Sequence, residues 1–562
     1  MVILGIADGP DSSAALVIDG QLVAVECEER LDRTPKSHTF PWAAIKEVLE
    51  EAGLRSEHVD LVAVAGRFTP PFFLRRHPGL RKMARDAFSP AMDAQVFYQA
   101  MLRQSGFGAL EADRAADWIR DQLRAKGFHM QRVVLVDVHQ ALAAAAYRCQ
   151  PDDDVLGVTL HPMGDGVSVA VHRGVAGQVD RLWAQKGFST LHVHLQRCAA
   201  AIGYDACTEM DRLWALAARG EPDSTLLHHL DRHLHADGPQ LSRRSYPIPS
   251  TRGEAVYRAL VQANPEVAAA SVLENLSQAV CGVVAHHMRT EEIRDLALAG
   301  AVFDNPRLVA AVAELPEVRT VFASPFSGHG SLGPGAAVYL AGISPHLLPV
   351  PGLGREYHAP QCARALTMAG LRGVSPSDPA EAVAGLLEAG GAVARFQGRA
   401  GLGRYGLGSR TVLVRADDPA AVEGVRSALG RLEDEEPGCA WVPTPGDGEV
   451  RQAAKLEVAL RYGNVAVQVD PVFARRYPGV VTPDGRVHLQ RVDPDGDPLL
   501  HRALVALHRR TGCAAVACFP LAEGRDPIVP VPGEAIRIWR RSGLAGLWLG
   551  PYLVQQDVEP KG

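Results

Sequence analysis

Cysteine, lysine and aromatic residues are all scarce in this 562-residue chain. Nine Cys are scattered with no Cys-x-x-Cys pair. That spacing provides neither a disulfide framework nor a zinc site and fits reduced thiols, with Cys513 and Cys518 expected in the core because they share one apolar run. Seven of the 58 basic residues are Lys and 51 are Arg, a bias that with abundant Ala and Gly reflects GC-rich codon usage rather than mechanism. Runs of about 18 uncharged apolar residues, the length a membrane span needs, are missing. The start, Met1-Val-Ile-Leu-Gly-Ile-Ala-Asp8, carries no basic segment and no long apolar segment. A cytoplasmic protein with no membrane partner is the expectation. Positive charge is not in excess either: 58 basic against 64 acidic residues give a net charge of -6. Broad adhesion to nucleic acid or anionic membranes is thereby excluded, and a local basic pocket is not.

Apolar residues at 47% and charged residues at 22% are ordinary globular proportions, and the length suits three or four folding units or two large ones. Val2–Ile6, Ala14–Ile18 and Gln21–Val25 read as strands joined by turns at Asp8-Gly-Pro-Asp11 and Asp19-Gly20. Pro41–Ala52 reads as an amphipathic helix presenting Ile45, Val48 and Leu49 on one face. A strand over 61–66 precedes a polar and aromatic excursion of about 60 residues. Val133–Asp137 is a strand feeding a small-residue helix, His139–Tyr147, and Val155–Val171 a hairpin. Helical patterns fill much of 190–295. The richest Pro/Gly stretch, 344–360, sets the main boundary: a first domain over 1–345, a linker over 346–365 and a second domain over 366–562. Beyond it, Pro379–Ala389 reads as a helix and Ala392–Gln397 as a strand. No internal repeat is visible in the sequence.

Several segments carry possible chemistry. Gly401-Leu-Gly403-Arg-Tyr-Gly406 satisfies Gly-x-Gly-x-x-Gly, yet the chain continues as a strand and Asp417 comes too early for a dinucleotide fold. A tight loop presenting Arg399, Arg404 and Arg410 to an anion fits these residues better. His229 and His233 stand at i and i+4, the spacing a metal requires, on a segment whose polar flanks favour a solvated helix. Gly164-Asp165-Gly166 and the loop through Gly328, Gly330 and Gly333 each admit two readings, a hairpin turn or a set of backbone N–H groups offered to a phosphate or ribose. The second loop runs into a helix, whose dipole would support the phosphate reading.

In collinear order the segments resemble the O-carbamoyltransferases of antibiotic and nodulation-factor biosynthesis. The matching stretches are Ile3-Leu-Gly-Ile6 through Asp11-Ser-Ser to Gly20, Glu28-Glu-Arg-Leu-Asp-Arg33, Phe40-Pro41, Gly164-Asp-Gly166, Leu298-Ala-Gly-Ala-Val-Phe-Asp-Asn305 and Gly333-Pro-Gly-Ala-Ala337. They continue with Phe396-Gln-Gly-Arg399, Leu407-Gly-Ser-Arg-Thr-Val-Leu413, Thr482 to Gln490, and Pro527 through Leu549-Gly-Pro-Tyr-Leu-Val554. The resemblance implies an α/β fold: a two-lobed actin-like ATPase-type first domain, akin to the enzyme that installs threonylcarbamoyl on tRNA, and a YrdC-like α/β second domain. It further implies that the second domain makes carbamoyladenylate and pyrophosphate from carbamoyl phosphate and ATP. The first domain then passes the carbamoyl group to a substrate hydroxyl, usually beside bound iron. Acyl transfer of this kind wants an anion cradle, a base and an electrophile at the developing oxyanion.

Chemistry-bearing positions depart from the family more than the scaffold does. The family's His-Asp after the first strand stands here as Pro10-Asp11. Its His-His-x-x-His metal motif stands as Val138-His139-Gln-Ala-Leu142, and its third ligand as His329. A Val, a Leu and one His do not hold iron in that geometry, so no metal is expected at this site. In the second domain one motif arginine has become Tyr405 beside Arg404, another aligns with His488 just after Arg486, and Asn-Thr-Ser-Phe-Asn has become Val516-Ala-Cys518-Phe519-Pro520. The resemblance therefore assigns catalysis to His139, His329 and Asp11, with Gly164, Asp165, Gly166, Gly300, Asn305, Gly328, Gly330 and Gly333 around ATP. Arg399, Arg404, Arg410, Arg486, His488 and Cys518 are assigned to the donor. The implied activity is carbamoyl transfer to a small metabolite through pockets built from variable loops over 67–130 and 220–260, with a homodimer as the implied assembly. The alternative is a catalytically silent paralogue that partners an active relative.

Overall fold

The computed structural model describes residues 1–556 apart from 10, 81–86, 131, 149, 151, 187–190, 206–208, 243–253, 327, 343–351, 402, 404 and 405. The chain forms two compact units. The first comprises Met1–Glu29 and Lys36–Leu347, the second Arg30–Pro35 and Leu348–Gly562.

In the first unit, strands β1 (Val2–Ala7), β2 (Ser13–Ile18), β3 (Gln21–Cys27), β4 (Leu61–Ala65) and β5 (Arg132–Val136) make a sheet of order β3-β2-β1-β4-β5. The pairs β1–β2 and β2–β3 are antiparallel, and β1–β4 and β4–β5 are parallel. Central β1 is apolar on both faces because both are covered, as parallel strands require. Strands β6 (Val155–Gly164), β7 (Val167–Val175) and β8 (Gln178–Lys186) follow, then a short hairpin of β9 (His235–Asp237) and β10 (Gln240–Ser242), then β11 (Asp295–Ala299) and β12 (Thr320–Ala323). The second sheet runs β12-β11-β6-β7-β8, again with two antiparallel and two parallel pairs in the same sequence of pairings. The two lobes are therefore a topological duplication that the sequence conceals. This is the actin-like arrangement that the resemblance implies.

The lobes are locked by two crossing helices. Val138–Arg148, which follows the first sheet, packs on β6 and β11. Leu332–Ala341, which follows the second, packs on β1, β2 and β4, and the two helices pack on each other. Their approach needs small residues: a Cβ on Gly335 would lie 2.2 Å from the Ala141 carbonyl oxygen, and one on Gly5 would lie 2.2 Å from that of Gly333.

The segments read as loops contain regular elements among their described residues. Residues 67–130 contain Phe72–Arg76, Pro90–Gln104 and Phe107–Arg124, and 220–260 contain Ser224–Asp231, the β9–β10 hairpin and Ala255–Gln262. His229 lies on Ser224–Asp231, as a solvated helix predicts, and His233 follows it. Pro265–Glu291 is long and apolar enough to cross a membrane, and 61% of its most apolar window is buried inside the unit.

The second unit is one eight-stranded mixed sheet. Its strands are β13 (Val393–Phe396), β14 (Arg410–Arg415), β15 (Gly438–Trp441), β16 (Ala466–Gln468), β17 (Arg486–Arg491), β18 (Ala515–Pro520), β19 (Gly546–Leu549) and β20 (Tyr552–Gln555), in the order β16-β17-β15-β18-β14-β13-β19-β20. Helices Pro379–Glu388 and Pro498–Thr511 cover one face, burying Val383, Leu387, Leu504 and Leu507 against Val393, Leu413 and Val516. Both helices start at an Asp-Pro pair. The carboxylates of Asp378 and Asp497 accept backbone N–H bonds from Ala380 and Leu500, and the proline occupies the first turn where no donor is needed.

Candidate functional site

Parallel pairing brings the carboxyl ends of β1, β4 and β5 to one edge of the first sheet, where Asp8, Gly66 and Asp137 follow. Buried Asp8 accepts from Arg75 Nη1 at 3.1 Å, and Arg75 also donates to the Pro70 carbonyl at 2.8 Å. Asp137 receives Arg103 at 2.8 Å, and Arg181 too bonds this carboxylate. Burial raises its carboxyl, and Arg181, His139 and Arg103 outweigh that, bringing its pKa down to about 2.

His139 sits under the second sheet with no exposed surface. Its Nε2 lies 3.0 Å from the Val167 carbonyl, which only accepts, so Nε2 carries the proton. Its Nδ1 lies 2.7 Å from the Thr159 hydroxyl, which also stands 3.2 Å from the Ala170 carbonyl. Burial lowers its pKa to about 4. The proposed role of His139 as a base therefore needs correction: a neutral, buried imidazole with both nitrogens engaged does not receive a substrate proton.

The Gly164-Asp165-Gly166 turn is a hairpin turn in which the Asp165 side chain faces inward. Its Oδ2 accepts from the N–H groups of Arg67 at 3.0 Å and Val138 at 2.9 Å, and its Oδ1 from that of Phe68 at 2.7 Å. Burial, joined by the charge of Asp137, pushes the Asp165 pKa up while these donors oppose the shift. The carboxylate ties three segments together, which corrects its reading as a nucleotide contact. Gly164 abuts the His139 ring and Gly166 abuts the Gln99 carbonyl, so both glycines are also packing residues.

The remaining nucleotide candidates do gather at the carboxyl edge of the second sheet. Gly300 ends β11 at φ 111°, with the Leu160 carbonyl 1.9 Å from where a Cβ would stand. Asn305 caps Pro306–Ala313 through Oδ1, 3.0 Å from the Arg307 nitrogen, and its buried Nδ2 has no partner among the described residues. The turn at Ala301–Asp304 touches the turn at Gly328–Ser331. Gly330 lies next to Cys27, and the Ser13 hydroxyl donates to the Gly330 carbonyl at 3.2 Å. Gly333 is packed against Ser13 inside its helix, not free in a loop. Of the catalytic candidates, Asp11 occupies the β1–β2 turn at φ 53° and is half-buried. The backbone of His329 lies in the Gly328–Ser331 turn, and its side chain lies outside the described residues. At the family's metal positions Val138 and Leu142 have no exposed surface and no lone pair, so they do not fit a metal ion. The described residues hold no group of three or more His, Cys, Asp or Glu suited to one.

In the second unit the strand register divides the donor candidates. Cys518 faces Gly438, which faces His488, and Arg486 is two positions from His488, so all three lie on one face. Arg410 is three positions from Leu413, the partner of Cys518, and so lies on the other face, its guanidinium 3.7 Å from the Phe396 ring centroid. Arg399 and Arg410 are engaged with backbone: Arg399 with the carbonyls of Gly354 at 3.0 Å and Leu353 at 2.9 Å, Arg410 with those of Gln397 at 2.6 Å and Gly398 at 2.9 Å. They shape the loop. Taking both as direct anion ligands overlooked these bonds, and among the described residues the predicted cradle does not assemble as one set. Arg404 lies outside the described residues.

On the other face His488 bonds Glu436 at 2.8 Å, and Arg486 stands 3.6 Å from Asp484 with its side chain 22% exposed. Burial pushes the Cys518 thiol up to about 12, which makes it a core residue and not a nucleophile. Arg395 shares this face, bound twice by Asp497 and stacked over Trp548. Sequence reasoning missed Arg75, Arg103, Arg181 and Arg395, because their carboxylate partners are distant in the chain.

The family description "Carbamoyltransferase N-terminus" matches residues 2–338, and "Carbamoyltransferase C-terminus" matches 384–556. The nodulation protein NolNO of Sinorhizobium fredii is 23% identical over 569 residues, covering 97% of this chain and 79% of that protein. The nodulation protein NolO of Bradyrhizobium diazoefficiens is 24% identical over 386 residues, covering 63% and 67% respectively. A solved ROK family glucokinase from Streptomyces griseus, in complex with glucose and AMPPNP, is 15% identical and covers 60% of this chain and 98% of its own at a TM-score of 0.29. The activator of 2-hydroxyisocaproyl-CoA dehydratase from Clostridium difficile with bound ADPNP is 14% identical over 61% and 94%, at a TM-score of 0.32.

Proposed function

Because this chain belongs to the carbamoyltransferase family across both of its units, we propose that it makes carbamoyladenylate from ATP and carbamoyl phosphate and transfers the carbamoyl group to the hydroxyl of a small metabolite without the family's iron. The observation that carries this reading is the pair of family matches, one in each unit and in the family's order. In the second unit, carbamoyl phosphate releases inorganic phosphate to water. The carbamate oxygen then attacks the α-phosphorus of ATP and expels pyrophosphate. Arg486 stands on the helix-covered face of the sheet, at its β16–β17 end, and keeps exposed surface for the anionic donor, and His488 is steadied there by Glu436.

In the first unit the acceptor oxygen attacks the carbamoyl carbon, the bond to AMP breaks, and the hydroxyl proton passes to a base. Asp11 takes that role in this proposal, since His139 is closed off. Asn305 Nδ2 and the turns at 300–305 and 328–331 form the nucleotide side. The reading places the reaction in the cytoplasm, in a homodimer, in secondary metabolism.

A second reading is favoured by two observations: Val138 and Leu142 replace metal ligands, and Arg399 and Arg410 serve the backbone. In it the chain is a silent paralogue that partners an active relative. Calorimetric titration of metal-stripped protein with ATP, carbamoyl phosphate and both, with pyrophosphate release followed in parallel, separates the two. Pyrophosphate formed only with both ligands supports the enzyme. Absence of binding to either sinks it and leaves the partner role.

A further inference from the structure

Residues Arg30–Pro35 lie more than 310 positions before the rest of the second unit and are nonetheless built into it. Arg30 is 7% exposed, and its Nη2 donates to the Gly401 carbonyl at 2.8 Å. Arg33, three residues on, donates from Nη1 to the Ile528 carbonyl at 3.0 Å and reaches Glu534 at 3.4 Å. Two arginines of one short strap thus grip two segments of the second unit. The segments also meet each other, since Ile528 Cδ1 is 3.6 Å from the position a Cβ on Gly406 would take.

The gripped stretch is rich in glycine. Gly398, Gly403, Gly406 and Gly408 all adopt positive φ, between 52° and 83°. Glycine in such conformations loses more freedom on ordering than any other residue, so a fixed loop shape needs outside partners. Inside the loop the Gly401 N–H donates to Ser409 Oγ at 2.8 Å, and Ser409 Oγ donates to the Gly406 carbonyl at 2.8 Å. At its far end the Gly408 carbonyl accepts from Arg395 Nη1, and Arg395 stands on the face that carries His488 and Arg486. A chain of hydrogen bonds therefore runs from Arg30 through Gly401, Ser409 and Gly406 to the stretch that anchors Arg395.

We propose that Arg30 is a positioning residue of the second unit, holding Gly401 and, through Ser409 and Gly406, the Gly408 carbonyl that anchors Arg395 on the donor-binding face; the identity of the donor rests on the function proposed above, and the clamp itself does not. A buried arginine suits this task because its guanidinium is weakly hydrated and its planar fork loses little freedom per bond formed.

The test uses the full-length chain with Arg30→Ala and Arg30→Lys, read by carbamoyl-phosphate-dependent pyrophosphate release, thermal midpoint, and hydrogen exchange over 398–409. Arg30→Ala is expected to raise the KM for carbamoyl phosphate roughly ten- to a hundredfold, the loss of one bond to a charged donor, with faster exchange confined to the loop. Arg30→Lys retains a charged N–H donor and is expected to return KM to within about threefold of wild type. A KM and loop exchange unchanged in Arg30→Ala overturns the clamp, as does a global loss of protection that Lys does not rescue. If wild type itself releases no pyrophosphate, the donor reading fails and the clamp is decided by exchange alone: localised acceleration supports it, and no change refutes it.

Discussion

Arg395 and Asp497 face each other in the second unit through two hydrogen bonds, 2.7 and 2.8 Å long, with both side chains buried. The same carboxylate caps Pro498–Thr511 through the Leu500 N–H at 3.0 Å. Asp497→Ala removes the cap and leaves a guanidinium over Trp548 without a counter-charge. The expected loss is about 3–5 kcal/mol, read as a lowered urea midpoint. A loss below about 1 kcal/mol, the range of exposed pairs, would show that the pair is hydrated.

His139 sets a pH dependence whose sign follows from its environment. The folded imidazole accepts a proton only near pH 4, while in the unfolded chain it does so near about 6.5. As pH falls through that window the unfolded state binds the proton first, so stability is lost on acidification and is unaffected above it. The expected loss is roughly 3 kcal/mol by pH 4. His172, also buried and lowered, adds in the same sense. Asp137, held at about 2, adds a further loss below about pH 4. His139→Gln should make the midpoint-versus-pH curve shallower between pH 6.5 and 4 by one proton's worth. An unchanged slope would mean the imidazole is not buried neutral.

Arg410 and Arg486 both align with the donor segments and should behave differently. Arg410→Ala removes four bonds to backbone carbonyls and a stacked ring, so it is expected to lower the thermal midpoint by several degrees. Arg486→Ala should leave the midpoint nearly unchanged and raise the KM for carbamoyl phosphate about tenfold or more. If the two effects are exchanged, the donor lies on the Arg410 face of the sheet.

What could be read from the sequence was local. Alternation gave the β1–β3 hairpins and the Val155–Val171 hairpin, and the 3.6-residue period gave Pro41–Ala52 and Pro379–Ala389, all within a residue or two of Trp42–Glu51 and Pro379–Glu388. The duplication of the lobes was hidden because pairing order leaves no trace when strands such as Val2–Ala7 and Val155–Gly164 share only apolarity. The donor set split for a similar reason. Whether Arg410 and Cys518 share a face depends on the parity of the register, which is fixed only when Leu413 pairs with Cys518. His139 looked catalytic because its burial depends on a sheet formed later in the chain. One signal was present and unused: the Asp-Pro pairs at 378, 418, 470 and 497 each mark a helix start.

Gly335 tests the crossing that holds the first unit together. Its helix, Leu332–Ala341, lies against Val138–Arg148, and the missing side chain is what lets the Ala141 carbonyl approach. A methyl group 2.2 Å from that oxygen cannot be relieved by a rotamer change, because both groups belong to backbone. Gly335→Ala must therefore push the helices apart, loosening the packing on β1 and β6 together. The expected result is a drop of roughly 1–3 kcal/mol or more in the stability of the first unit, with the second unit's transition unmoved in calorimetry. Gly424→Ala, at a helical glycine in the second unit with nothing within 4 Å of the new Cβ, should be neutral or slightly stabilising. Equal effects from the two substitutions would show that the helix crossing is not tight at Gly335.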